Sequence, residues 1–199
     1  MRRNNTIMKT KTLLVVLLLV FSMIFTTSCV IGSNKHISND PQDYIVFLSE
    51  IDNVASLSGL DGATKYMPDL SELGSYDSIT VCKKTTNQVL WNDVLTVTLI
   101  LDYSEQEYNS QIEMFKAKYT FLSEPNDVMR DCEAEVKGYH IRVVEQKDTP
   151  NGDYDYSTFC LLIGTNSKEN TIAYMFYYDF DNDKIKDLDI YVNRFFVIN

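Results

Sequence analysis

Four strand-like runs follow one another at hairpin spacing in the C-terminal half of the chain, and they constrain the fold more than any other feature. They lie at residues 132–136, 139–143, 156–163 and 172–178. In the first two, apolar side chains alternate with polar ones, which is the period of a strand with one buried face. Lys137-Gly138 and two turn-rich stretches, residues 149–153 and 166–170, separate the runs. The pattern predicts an antiparallel sheet.

Two more strands and three helices are predicted around these runs. The strands lie at residues 78–82 and 89–103, with Thr85-Thr86-Asn87 as the break between them. Asp40-Pro41 opens one helix, because Asp caps well and Pro fits the first turn. A short helical turn is expected at residues 68–73.

Ser104-Glu105-Gln106-Glu107 has the form of a capping box and opens the second helix. Asp181 or Asn182 caps the last helix, whose apolar stripe is Ile185, Leu188, Val192 and Phe195. The element order predicts an α+β fold, with a curved antiparallel sheet of about six strands and helices packed on one face.

The N-terminus has the pattern of an export signal. Arg2, Arg3, Lys9 and Lys11 precede about 13 nearly unbroken apolar residues at 13–25, and Thr26-Thr27-Ser28-Cys29 follows. This ending resembles the lipobox of bacterial lipoproteins, although Thr26 stands where the family usually has Leu, Val or Ile. The resemblance implies a diacylglyceryl group on Cys29 and cleavage before it. We therefore expect a signal peptide at 1–28, a polar tether at 29–39 and one domain at 40–199.

Two other interpretations of the N-terminus stay open. Ordinary signal peptide cleavage near Ser28 would leave Cys29 unmodified. An uncleaved anchor running on to Ile31 would approach the roughly 20 residues that a spanning helix needs. All three interpretations place residues from Asn34 onward outside the cytoplasm, and we expect the outer face of the cell membrane.

The charge balance excludes some partners. Four of the 18 basic residues lie in the signal, so residues 29–199 hold 14 basic and 28 acidic residues, a formal charge of −14. Nucleic acid is not expected as a partner, because binding it requires a basic face. The same acidity disfavours docking on anionic lipid, so membrane attachment is predicted through the N-terminal lipid.

The remaining cysteines carry no motif. Cys82, Cys132 and Cys160 stand at long spacings, without a CxxC pair or metal knuckle. One disulfide with a spare thiol is one interpretation, since export favours oxidation. We favour buried thiols, because each cysteine lies in an apolar run.

Two segments resemble a known group of proteins. They are residues 66–76, Tyr-Met-Pro-Asp-Leu-Ser-Glu-Leu-Gly-Ser-Tyr, and residues 101–108, Leu-Asp-Tyr-Ser-Glu-Gln-Glu-Tyr. They look similar to small uncharacterised lipoproteins of Gram-positive (Firmicutes) gut bacteria. The resemblance implies a cell-surface context and no particular chemistry.

Several polar groups are candidates for chemistry. Asp179, Asp181 and Asp183 resemble the start of a calcium loop, but Lys184 and Ile190 replace its Gly and Glu, and a capped helix start explains the acids equally well. His140 could activate Cys132 or Cys160 only if the fold brings them together. Carboxylates for glycoside hydrolysis could come from Glu133, Glu135 and Glu145.

No catalytic residue, metal or cofactor is predicted from these candidates. Trp91 and the tyrosines could form an aromatic binding surface, although strand tyrosines are more often core. We expect a non-catalytic cell-surface lipoprotein that binds a protein, peptide or envelope component. The alternative is an envelope hydrolase that uses acidic residues in a cleft of the sheet.

Overall fold

The computed structural model describes residues 32–57, 62–88, 92–126, 129–145, 158–179, 185 and 187–198, and its centre is a seven-stranded sheet. The strands are β1 (Gly32–Ser38), β2 (Ser78–Gln88), β3 (Asn92–Asp102), β4 (Glu133–Val136), β5 (Tyr139–Val143), β6 (Thr158–Asn166) and β7 (Thr171–Asp179). Their order is β1-β2-β3-β7-β6-β5-β4, open at β1 and β4. Every neighbouring pair is antiparallel, so the predicted α+β fold class is confirmed.

The described residues contain the α-helices α1 (Pro41–Leu57), α2 (Glu105–Lys118) and α3 (Leu188–Phe195). The predicted starts of α1 and α2 are confirmed by their caps. The Gln42 amide donates to Asp40 Oδ1 at 2.9 Å, and the Glu107 amide donates to Ser104 Oγ at 3.3 Å. These bonds satisfy amides that have no partner inside a helix. The helical turn predicted near residue 70 is the 3-10 helix Leu70–Glu72.

The helices occupy both faces of the sheet. Alternate side chains of β7 enter two separate cores: Tyr174 and Phe176 pack with α1 and α2, whereas Met175 and Tyr177 pack with α3. The prediction that the helices pack on one face of the sheet therefore holds for α1 and α2 only. α3 covers the opposite face because its stripe, Leu188, Val192 and Phe195, has its own apolar surface to bury there.

The tether predicted at residues 29–39 is wrong for residues 32–38, which form the edge strand β1. All seven residues pair with β2, from Gly32 opposite Asn87 to Ser38 opposite Val81. This strand accounts for the seventh strand of the sheet. Its polar sequence carries no period of two, since pairing depends here on the exposed backbone edge of β2.

Two smaller predictions are also corrected. The break at Thr85-Thr86-Asn87 is absent, because β2 runs through these residues and pairs with β3 as far as Gln88 opposite Asn92. Threonine is β-branched and suits a strand. Ile185 forms an isolated bridge with Met129, and the last helix begins at Leu188.

The hairpin predicted at Lys137-Gly138 is confirmed. It joins β4 to β5, and both turn residues have positive φ, 51° at Lys137 and 84° at Gly138. Glycine adopts this region without a steric cost. The chain reaches the hairpin from the central strand β3 by way of α2, which lies on the α1 face of the sheet. α2 and this edge hairpin together line a cleft with charged groups at its rim.

Candidate functional site

The β4–β5 hairpin brings three of the predicted candidates together. Glu135 lies opposite His140, and Glu133 lies opposite Arg142, so strand alternation places all four side chains on the α2 face. Nδ1 of His140 is 2.8 Å from Glu135 Oε1, and its Nε2 is 3.6 Å from Glu133 Oε2. The third predicted carboxylate, Glu145, lies beyond the end of β5 and does not line the cleft described next.

A cleft of about 260 Å³ lies between this hairpin and the C-terminal half of α2. Its floor is apolar, and its rim carries the charged groups of the hairpin and of α2. The lining residues are Ile112, Phe115, Lys116, Phe121, Glu133, His140, Arg142, Ile163 and Thr165. An apolar cleft with a few converging polar groups is the usual form of a ligand site.

The segment after α2 closes the floor of the cleft. Leu122 N donates to Val143 O at 2.9 Å and Glu145 N donates to Thr120 O at 2.8 Å, so residues 120–122 run beside the end of β5. These bonds hold the Phe121 ring against Phe115, with ring centroids 5.9 Å apart and an interplanar angle of 78°. Edge-to-face packing of this kind fixes the position of both rings.

Arg142 is the group of this cleft that the sequence did not single out. Its guanidinium carbon lies 3.9 Å from the centroid of the Phe121 ring, a close cation–π contact. Among the described residues no carboxylate forms an ion pair with Arg142, although 28 acidic residues are present in the chain. A stacked guanidinium keeps its in-plane N–H donors available for a carboxylate or phosphate.

The alternation of side chains along β5 was the only sequence feature that could have indicated a role for Arg142. It places Arg142 beside His140 on one face of β5, but solvated arginines of any hairpin have the same pattern. The apolar stripe Tyr108, Ile112, Phe115, Tyr119 and Leu122 predicted a helix that continues through Phe121, whereas α2 ends at Lys118. The contact between Arg142 and Phe121 depends on where α2 ends, which the sequence alone does not determine.

The two glutamates share one imidazole. Both carboxylates are exposed, at 65% and 71% of their side-chain surface, and each approaches a different nitrogen of His140. A neutral imidazole can donate to only one of them, whereas an imidazolium can donate to both. The arrangement holds the histidine at the rim and occupies both carboxylates.

The predicted Cys–His pairs do not form. Cys160 lies in the core on the α3 face, and His140 lies on the α2 face. Cys132 precedes β4 and does not line the cleft that contains His140. Burial raises the pKa of the Cys132 thiol, with nearby Glu133, Asp131 and Glu124 adding to the effect. A raised pKa leaves little thiolate for nucleophilic attack.

The three cysteines among the described residues are free thiols, as the sequence favoured. Cys82 and Cys160 are buried, and Cys132 is half-buried. Cys82 on β2 and Cys160 on β6 are separated by β3 and β7, about 14 Å at the usual strand spacing, whereas a disulfide needs Cα atoms within about 7 Å. Burial raises the pKa of Cys82 to about 11 and that of Cys160 to about 12.

Most of the calcium-loop candidate lies outside the residues that the structure describes. Asp181 and Asp183 fall outside the described residues, and Asp179 is described only as the last residue of β7. Within the described ranges no group of three His, Cys, Asp or Glu side chains could hold a metal ion. Cys29 and Trp91 also lie outside the described residues.

A second crevice, of about 390 Å³, lies between α1 and the 3-10 segment. Its charged groups are engaged within the protein: Lys118 pairs with Glu72, and Asp69 accepts from the amide and hydroxyl of Ser71 at 2.8 and 2.6 Å. The Tyr44 hydroxyl donates to Pro68 O at 2.7 Å. This crevice therefore offers a ligand less than the Arg142 cleft does.

Comparison with known proteins gives no relative. No family model, no curated protein and no solved structure matches this chain. In the part of the chain that the structure describes, no helix has the length and apolar character needed to span a membrane.

Proposed function

We propose that this chain is a non-catalytic lipoprotein of the outer cell surface that binds a protein, peptide or envelope component. Attachment is through a diacylglyceryl group on Cys29, as the lipobox-like residues 26–29 indicate. The partner carries a carboxylate beside an apolar group. The observation that carries this proposal is Arg142, which is stacked on Phe121 above an apolar floor and has no acidic partner among the described residues.

The chemistry of the cleft defines the ligand. Phe115, Phe121 and Ile163 accept an apolar side chain, and the guanidinium supplies two parallel N–H donors to a carboxylate. The C-terminus of a peptide and an acidic side chain next to an apolar one both meet this description. The exposed glutamates at the rim would repel ligands with a misplaced negative charge.

Binding of N-acetylphenylalanine and of its amide tests the proposal. The free acid should bind about tenfold to a hundredfold more tightly than the amide, because a hydrogen bond to a charged group contributes about 1.5–3 kcal/mol. Arg142→Ala should remove this preference, and Arg142→Lys should retain only part of it, because lysine cannot bind bidentately. NMR titration of the purified protein measures both affinities.

Arg130→Ala is the matched control. Arg130 is exposed, lies outside the cleft, and contacts Ile185 through its backbone amide alone among the described hydrogen bonds. Its replacement should leave the preference for the acid unchanged. Equal affinities for the acid and the amide in the unmodified protein would contradict the proposal.

An envelope hydrolase is the second candidate, because His140 and Glu133 both line the cleft. The binding function is favoured, since both glutamates contact one imidazole and neither is enclosed. Turnover of purified peptidoglycan that disappears in Glu133→Gln and persists in Glu145→Gln would favour the hydrolase.

A further inference from the structure

We propose that the α3 face of the β1 edge rests on an anionic bilayer, so that the Arg142 cleft opens away from the membrane. The inference rests on the proposed lipid anchor at Cys29. Chain length and charge indicate that a surface of anionic lipid headgroups covers this face.

Chain length keeps the domain close to the membrane. Cys29 and Gly32 are separated by only Val30 and Ile31, and three residues of chain span at most about 10 Å. Gly32 is already paired in the sheet, opposite Asn87 of β2. A lipid on Cys29 therefore holds the β1 edge within about 10 Å of the interface.

Three cations converge near that edge on the α3 face. Lys35 and Lys84 lie directly opposite each other on the β1–β2 ladder, and Lys84 Nζ donates to the backbone oxygen of Arg194 at the end of α3. Lys35 and Arg194 both lower the pKa of Lys84, in addition to the larger effect of its burial. We name these residues the basic patch: Lys35, Lys84 and Arg194.

The basic patch has no acidic partner among the described residues. The described ion pairs of the protein involve other cations: Lys83, Lys116, Lys118 and His140. Like charges placed opposite each other on a sheet are destabilising unless a counter-charge is supplied. Anionic headgroups would supply that counter-charge.

On the opposite face, the helix α1 is acidic. α1 carries Asp43, Glu50 and Asp52 and contains no lysine or arginine. Lys83, the neighbour of Lys84 on β2, points to this face and pairs with Glu50. A domain with a formal charge of −14 is repelled by an anionic surface as a whole, so the anchored domain turns the side that carries the basic patch toward it.

Exposed apolar side chains accompany the basic patch. Ile37 is 45% exposed and shares a strand face with Lys35, and Ile190 is 56% exposed one helical turn before Arg194. Apolar side chains flanked by cations are typical of surfaces that lie on a membrane. The lipid supplies the attachment, and the basic patch sets the orientation.

This orientation has a consequence for the proposed binding site. β5 is five strand positions from β1, or about 24 Å at the usual spacing. The Arg142 cleft lies on the α2 face, opposite the basic patch. With the basic patch on the bilayer, the cleft faces outward, toward soluble or envelope ligands.

Lipid quenching of a fluorophore tests the orientation. The mature protein is extracted from membranes and reconstituted into phosphatidylcholine vesicles with or without phosphatidylglycerol, with spin-labelled lipid as the quencher. Ile190→Cys and Val46→Cys, at 56% and 49% exposure on opposite faces, carry the fluorophore in a Cys132→Ser background. Stronger quenching at residue 190 than at residue 46, only with phosphatidylglycerol present, is the expected result.

Lys35→Gln combined with Arg194→Gln should abolish the difference, while Lys84 stays in place to hold the end of α3. Each cation near an anionic surface favours that orientation by about fivefold, so the double variant should lose roughly thirtyfold in preference. Equal quenching at the two positions, or an unchanged difference in the double variant, would overturn the inference. A mass spectrum of the same sample distinguishes the two failures. An unlipidated Cys29 would contradict both the proposed anchor and the proposed orientation. A lipidated Cys29 with equal quenching at the two positions would contradict the orientation alone.

Discussion

Raising the pH from about 8 to about 12 should unfold this protein completely, because four buried tyrosines keep their protons only in the folded state. Burial raises the pKa of Tyr139 to about 12. It also raises the pKa values of Tyr44, Tyr103 and Tyr174 above the usual range of tyrosine. In the unfolded chain the same phenols lose their protons near pH 10.

The direction in which the free energy of unfolding changes with pH follows from proton binding. Above about pH 10 the unfolded state binds fewer protons than the folded state, so the free energy of unfolding falls by about 1.4 kcal/mol per pH unit for each tyrosine. Four tyrosines remove roughly 5 kcal/mol by pH 11 and about twice that by pH 12, against a typical total of about 5–15 kcal/mol. Cys82 and Cys160, whose pKa values are also raised by burial, act in the same direction.

Far-UV circular dichroism and phenolate absorbance, followed together through the titration, measure this effect. The circular dichroism and the part of the absorbance that comes from the four buried tyrosines should change in one transition between about pH 11 and pH 12. Tyr174→Phe should move the transition to higher pH, since it removes a buried hydroxyl that has no hydrogen-bond partner among the described residues. Tyr44→Phe should instead lower stability at neutral pH, since Pro68 O loses its donor. Ionisation of all tyrosines near pH 10 with the fold intact would contradict the burial of these side chains.

Phe176→Ala should cost about 3–5 kcal/mol of folding free energy, the range for removing a buried aromatic ring. Phe176 is fully buried on the central strand β7, between β3 and β6. Its ring stacks on Tyr66 and on Phe159, with centroids 6.1 Å away in both cases. The cavity cannot collapse easily, because strands on both sides fix the backbone.

Thermal and urea unfolding measure the loss. The midpoint of thermal unfolding should fall by roughly 6–20 °C, given about 2–4 °C per kcal/mol for a domain of this size. Ile45→Ala, at an exposed position of α1, is the control and should change the midpoint little. A loss below about 1 kcal/mol for Phe176→Ala would mean that the core is not packed as described.

The strand and helix pattern of this domain was largely predictable because it depends on local periodicity. The capping residues Asp40 and Ser104 and the turn at Lys137-Gly138 determine where elements begin or reverse, and each acts within a few residues. The errors involve long-range pairing. β1 has no apolar alternation of its own, and it is a strand because the edge of β2 lies beside it.

The sheet face on which α3 packs also could not be predicted from the local sequence pattern. Its stripe indicates that one side is buried but not which of two apolar sheet faces receives it. The same limit applies to the cleft. Alternation along β4 and β5 placed His140 with Glu133 and Glu135, whereas the stacking of Arg142 on Phe121 depends on the path of the chain after α2.

The proposed location, the short link to β1 and the orientation of the cleft all depend on the anchor at Cys29. The most direct test is the mass of the N-terminal peptide of the protein extracted from membranes. A peptide that begins at Cys29 and carries a diacylglyceryl group is the predicted result. An intact Met1 or an unmodified Cys29 would contradict it.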